Sequence, residues 1–307
     1  NPVCQPSRAS ILTGLLPFTH GVVDNGVDLQ PATGEAGFSG QLARHGYRTG
    51  FIGKAHLSSR NTFEATKTPE NRIGSAEYGP DWCGPYMGFE YVELAVLGHW
   101  ALPSKVRTTP LSRERPPYLQ HFERWFYEEV AGEKGYELWA ENIGPDVKGA
   151  ARTWYSGLPV AWHSSTWVGN RAIEFLRKHT GDRPFCAWVS FPDPHHPFAC
   201  PEPWSSLYHP DEVDLPAHRL RDLDQRPWWH RAALEADSSV DNPVWKEYRD
   251  KETRPPQQTD EQLRHMTVNY YGMISLIDHN VGRIVAALRE MGLEENTLIF
   301  FTSDHGE

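Results

Sequence analysis

The stretch Asn1-Pro2-Val3-Cys4-Gln5-Pro6-Ser7-Arg8-Ala9-Ser10-Ile11-Leu12-Thr13-Gly14 decides how the rest of the chain is read. It has the pattern of a strand end, a sharp turn and then a helix. Pro6 suits the first turn of a helix, where its missing N–H would be unpaired anyway. Ala9, Ile11 and Leu12 continue the helix, and Gly14 is placed to end it in the left-handed conformation. Cys4 therefore falls just before a helix N-terminus. The free amides and the positive end of the dipole there favour a thiolate, an alkoxide or a bound oxyanion. Arg8 lies one turn further on and can aim its planar fork at the same spot. Taken alone, such a cysteine more often marks a buried structural thiol.

Working outward, other strand ends carry polar groups. Residues 36–45 read as a short helix closed by Gly46, and 47–52 as a buried strand. That strand delivers Gly53-Lys54-Ala55-His56 at its end. Residues 167–179 read as a helix with Val168, Ala172, Phe175, Leu176 and His179 on one face. The run 184–191 is almost wholly apolar, the pattern of a strand covered on both faces, and it leads into Pro192-Asp193-Pro194-His195-His196-Pro197. Residues 260–291 form the longest helical pattern, with Leu263, Met273, Ile274, Ile277 and Leu288 at three-and-four spacing and Gly292 to close it. Residues 297–302 read as another buried strand with Asp304-His305 at its edge. Ligand sites of α/β sheets lie at such C-terminal edges.

The expected fold is therefore α/β, a mostly parallel central sheet flanked by helices in a single domain over 1–307. Two stretches, about 58–157 and 199–256, lose this regularity and are rich in Pro, Trp, Tyr and Gly or charged residues. They read as excursions over the active-site face, where loops carry specificity. Within the first, 118–130 is amphipathic and Arg113-Glu114-Arg115-Pro116-Pro117 reads as a solvated linker.

Hydrophobic content of 39% and charged content of 23% describe an ordinary globular chain. A formal charge of −10 argues against nucleic acid as the main partner. No stretch is long and apolar enough to span a membrane. Cys4, Cys83, Cys186 and Cys200 show neither zinc spacing nor a dense disulfide framework. This sparse usage favours a cytoplasmic location over a periplasmic or secreted one. Without an initiating methionine, and stopping directly after a strand, both ends read as cut.

The run Cys4-x-Pro6-Ser7-Arg8 with Thr13-Gly14 resembles the signature of the type I sulfatases of the alkaline-phosphatase superfamily. Gly53-Lys54-x-His56, Pro194-His195-x-Pro197 and Ser303-Asp304-His305-Gly306 resemble further elements of that family. The resemblance implies an alkaline-phosphatase-like fold and a sulfate ester as substrate, either a small molecule or a glycan. It implies oxidation of Cys4 to Cα-formylglycine by a formylglycine-generating enzyme, the hydrated aldehyde being the nucleophile. Asp304, His305 and the modified Cys4 would hold a divalent metal. Calcium is the first choice, and manganese or magnesium the alternative. Arg8 would stabilise the nucleophile, Lys54 would bind the sulfate, His56 would handle the hydrate's proton and His195 would act as general acid. His196 occupies the variable position of its element.

Many family members have Asn after the metal-binding Asp. His305 at that place resembles a branch that includes choline sulfatases and phosphonate monoester hydrolases. A phosphonate monoester or phosphodiester hydrolase on the same site is therefore the alternative activity. The family also takes two acidic metal ligands from a strand upstream of the signature cysteine, and that strand lies outside these 307 residues. This leaves a non-catalytic binder of sulfated ligands, or an inert fragment, as the alternative of another class.

Overall fold

Phe51 and Ile52 point to opposite sides of one strand, and each joins a different core. Side chains alternate faces along a strand, so β1, Arg48–Gly53, serves both. On one side Phe51 clusters with Ala9 and Leu12 of the opening helix, with Phe89 and with Val92. The rings of Phe89 and Trp188 each centre 5.3 Å from Phe51. On the other side Ile52 clusters with Trp167, Val168, Phe175 and Leu176 of helix Ser164–Arg177 and with Leu288. Gly50 lets that helix come close, since a Cβ there would stand 2.6 Å from the Phe175 ring. Helices thus cover both faces of a parallel sheet, the α/β arrangement the alternation predicts.

The computed structural model describes residues 1–59, 67–71, 74–79, 81–95, 121–130, 147–178, 181–217, 224–235 and 257–306. The linker expected at 113–117, much of both expected excursions and His179 lie outside these residues. β1 is flanked by β2, Tyr91–Leu94, and β4, Phe185–Ser190, both parallel to it. Gly53 stands opposite Leu94 on one side and Ser190 on the other. β3, Thr153–Ser156, and β5, Phe198–Pro201, form a separate parallel pair. β2 lies within the stretch read from sequence as an excursion, so part of that stretch belongs to the sheet itself.

The opening helix runs Cys4–Thr13 and ends as expected, with Gly14 at φ 70° and its amide bonded to Ser10. Cys4 is the first helical residue, not the one before it, and no strand precedes it among the described residues. The expected helix at 36–45 is Phe38–Arg44. The long helix Asp260–Glu290 opens on a capping box between Thr259 and Gln262. Met273, Ile277 and Leu288 are buried as the spacing predicts, but Ile274 is exposed. Asn280 is buried instead, bonded to Leu276 and Arg283, because Gly169 of the neighbouring helix leaves room for it.

Two strand expectations need correction. β4 is only half-buried at five of its six positions, because among the described residues it is an edge strand with one side uncovered. Residues 297–302 form no strand, and Leu298 and Phe300 are 79% and 83% exposed. An apolar run becomes a strand only where a neighbour takes its backbone hydrogen bonds, and no described strand lies alongside this one.

Candidate active site

Cys4 opens its helix with its side chain turned inward and only 5% of its surface exposed. The Nε2 atom of His305 stands 2.9 Å from Sγ and the Lys54 Nζ 3.9 Å away. Burial pushes the thiol's pKa up and outweighs the opposing charge of Lys54. For the unmodified residue, desolvation therefore outweighs the groups that would favour a thiolate.

β1 ends at Gly53, whose φ of 111° suits a glycine. A Cβ there would lie 1.8 Å from the Ser190 carbonyl oxygen. This close approach lets the Lys54 amide donate to Ser190 at 2.9 Å, so the sheet runs up to the site. His56 follows with φ at 50°, a left-handed conformation uncommon outside glycine. Its Nδ1 is buried without a hydrogen-bond partner. Burial, with the charges of Lys54 and Arg8, lowers its pKa to about 3, so the ring is neutral.

Arg8 is buried and serves as a clamp. Its Nε donates to Ala55 O at 2.7 Å and its Nη1 to Asp304 Oδ2 at 2.9 Å, while Nη2 donates to both Lys54 O and Ser190 Oγ. The guanidinium also stands over Trp188, 5.6 Å from the ring centre. The fork is thus aimed mainly at the ends of β1 and β4 and at Asp304, and less at Cys4 than the helical spacing predicts.

Asp304 is desolvated, which pushes its pKa up, but Arg8 and Lys54 outweigh this and hold the carboxyl below its usual range. Ser7 Oγ donates to Asp304 O at 2.6 Å, tying the first turn of the helix to this segment. The Nδ1 of His305 bonds to Gly306 O at 2.8 Å. A carbonyl only accepts, so Nδ1 carries the proton and the Nε2 lone pair faces Cys4. Donor atoms of Cys4, Asp304 and His305 all lie within 4.8 Å of one another. A carboxylate held ionised, an imidazole lone pair and a residue at the Cys4 position make a donor set that fits a divalent cation.

His195 is held by the same logic. Its Nδ1 donates to His196 O at 2.7 Å, and the two rings centre 4.2 Å apart. Burial, with Lys54 and His196, lowers its pKa to about 2. A general acid is expected to titrate near neutrality; the substrate-free ring instead stays neutral well below that, because it is desolvated beside a cation. Asp193 at the start of this loop accepts from Ser165 Oγ and lies 3.5 Å from His163 Nδ1.

The structure thus brings Cys4, Arg8, Lys54, His56, Asp304 and His305 together, with His195 close enough to feel Lys54. Sequence reasoning missed Ser7, Ser190 and Asp193, small polar residues whose partners are distant in sequence. Ser190 had a usable signal, as the one hydroxyl ending an apolar strand.

A family model described as Sulfatase matches residues 1–307. An arylsulfatase of Clostridium perfringens is 29% identical across the whole chain, and a choline-sulfatase of Rhizobium meliloti is 25% identical, also across the whole chain. The chain covers 53% and 49% of those proteins, so it spans about half the length of the curated relatives it matches. In fold it is similar to a phosphonate monoester hydrolase from Silicibacter pomeroyi, with a TM-score of 0.62 over 96% of this chain and 51% of that one at 22% identity. The chain belongs to the sulfatase family.

Proposed function

We propose that this chain forms the catalytic core of a sulfatase that hydrolyses a sulfate monoester, with Cys4 oxidised to Cα-formylglycine and a divalent cation held beside it. The observation that carries the reading is the convergence on Cys4 of His305 at 2.9 Å and Lys54 at 3.9 Å, with Asp304 held ionised behind them by Arg8. Asp304, His305 and the modified Cys4 would hold the cation, with calcium preferred for its affinity for oxygen ligands. When bound, the cation supplies Lewis-acid stabilisation of charge on the sulfuryl oxygens. Lys54 faces the same charge from the protein side.

His56 is neutral with an unpartnered Nδ1, and once the ester's negative charge offsets Lys54 and Arg8, which hold its pKa down, it can take a proton from the hydrated aldehyde. His195 faces the departing alcohol. An incoming sulfate ester brings negative charge that opposes the Lys54 field and raises the proton affinity of Nε2, so that Nε2 takes up a solvent proton and passes it to the leaving oxygen. Arg8 keeps Lys54, Ala55 and Asp304 in register. The full-length protein, coexpressed with a formylglycine-generating enzyme, is expected to hydrolyse 4-nitrophenyl sulfate, and Cys4→Ala to abolish this. Equal turnover by Cys4→Ala would refute the reading.

The Asp304-His305 pair favours one second reading, a phosphonate monoester or phosphodiester hydrolase. Parallel kcat/KM values on an aryl sulfate and an aryl phosphonate monoester separate the two.

A further inference from the structure

His56 occupies a left-handed backbone conformation, uncommon for a residue with a Cβ, so the surrounding structure must hold it there. The holding group is a carboxylate the catalytic scheme does not use. Glu70 is fully buried. Its Oε1 accepts from the Leu57 amide at 3.0 Å and the Ser58 amide at 3.2 Å. Tyr86 Oη donates to the same oxygen at 2.8 Å. Successive amides converging beside a left-handed residue form a concavity that takes an acceptor oxygen, and here that oxygen belongs to a side chain of the chain itself. Neighbours of Glu70 tie down the same segment. Thr68 bonds to the Ser58 hydroxyl at 2.7 Å, and Asn71 donates to Ser59 O at 3.0 Å.

We propose that Glu70 is a positioning residue: its carboxyl group fills the concavity formed by the amides of Leu57 and Ser58 and so holds His56 in its left-handed conformation at the candidate site. This rests on the sulfatase reading for what His56 does, but not for where it is held. A residue kept only for stability would be a poor choice here. Burial raises the Glu70 pKa to about 7, and Oε2 has no hydrogen-bond partner. The clamp needs an acceptor oxygen and not a charge, since a neutral carboxyl or an amide carbonyl also accepts.

The test compares crystal structures and kinetics of the full-length protein with Glu70→Gln and Glu70→Met. Gln keeps the acceptor, so His56 should stay near its present φ and kcat should stay within about threefold of wild type, the margin of uncoupled sites. Met keeps the length and removes the acceptor. His56 should then leave the left-handed region, and kcat should fall about 10²-fold or more, the scale of a lost general base, with KM little changed. In a His56→Ala background the same Glu70→Met change should cost less than about threefold, because the two act as one unit. Should Glu70→Met not fold, Glu70→Ala carries the same comparison. His56 unmoved after loss of the acceptor, or an undiminished loss of kcat in the His56→Ala background, would overturn the proposal. A wild-type protein inactive on sulfate esters would count against the sulfatase reading alone, since the His56 backbone is read from the crystals.

Discussion

Arg8 Nη1 lies 2.9 Å from Asp304 Oδ2, a nearly buried ion pair that joins the opening helix to a segment 296 residues away. The same guanidinium holds the carbonyls of Lys54 and Ala55 and the hydroxyl of Ser190. One side chain therefore fixes three separate pieces of the site.

Arg8→Ala would leave Asp304 Oδ2 and the buried Ala55 carbonyl without their donor, while the Lys54 carbonyl would keep only the Ser190 hydroxyl. Breaking a buried pair from one side costs about 3–5 kcal/mol. Denaturant unfolding should read that loss, together with a fall in kcat/KM of at least about 10³-fold, the scale of losing a preorganised electrostatic group. Arg8→Lys should recover little of either, because an ammonium cannot reproduce the fork.

Gly53→Ala tests the close approach of β1 and β4. The added Cβ meets the Ser190 carbonyl at 1.8 Å and the backbone is in the left-handed range. Overpacking costs about 1–3 kcal/mol and the conformational strain adds to it. The midpoint of thermal unfolding should fall clearly. An unchanged midpoint would remove the special role given to Gly53.

The local parts of the site were legible in the sequence because each is a short run with its own geometry. Cys4 to Gly14 encodes a helix start and stop, and Gly53 to His56 marks a strand's end. The partners were not legible. Ser190 and Asp193 act on residues far away in the chain, Glu70 acts on the turn at 57–58 from beyond an irregular stretch, and no spacing announces either. The neutral state of His195 depends on burial beside Lys54, which composition does not reveal. The 297–302 run was misread for a related reason: apolar content signals a strand's material, while the strand itself needs a neighbour. β2 was missed because Tyr91–Leu94 is only four residues long and carries Glu93, buried and paired with Arg171.

His121 gives stability a defined pH dependence. Its Nδ1 accepts from the Leu94 amide at 3.0 Å and its Nε2 donates to Trp82 O at 2.8 Å, so the fold requires the neutral ring. Burial lowers its pKa to about 4 from the ordinary 6.5. A depressed histidine contributes stability that is present above pH 6.5 and is lost as pH falls towards 4, because the unfolded state takes up the proton first. The full loss is about 3 kcal/mol at most. Urea unfolding of wild type and His121→Gln from pH 7 to 4 should show a flatter dependence for the variant. Parallel curves would contradict this assignment.

Asp304→Asn keeps the shape of the proposed metal ligand and removes its charge. Elemental analysis of the full-length protein should find the divalent cation in wild type and little in the variant. Activity should drop by about 10³-fold or more, as expected when a metal ligand is lost together with its charge stabilisation. A variant that retains stoichiometric metal would move the site away from Asp304.

The most direct measurement concerns Cys4 itself. Full-length protein coexpressed with a formylglycine-generating enzyme is digested with trypsin, and the peptide ending at Arg8 is weighed. Replacing CH2–SH by an aldehyde should make it about 18 Da lighter than the thiol form, in proportion to specific activity on a sulfate ester. A peptide that stays wholly thiol in a protein that turns over sulfate esters would contradict the account.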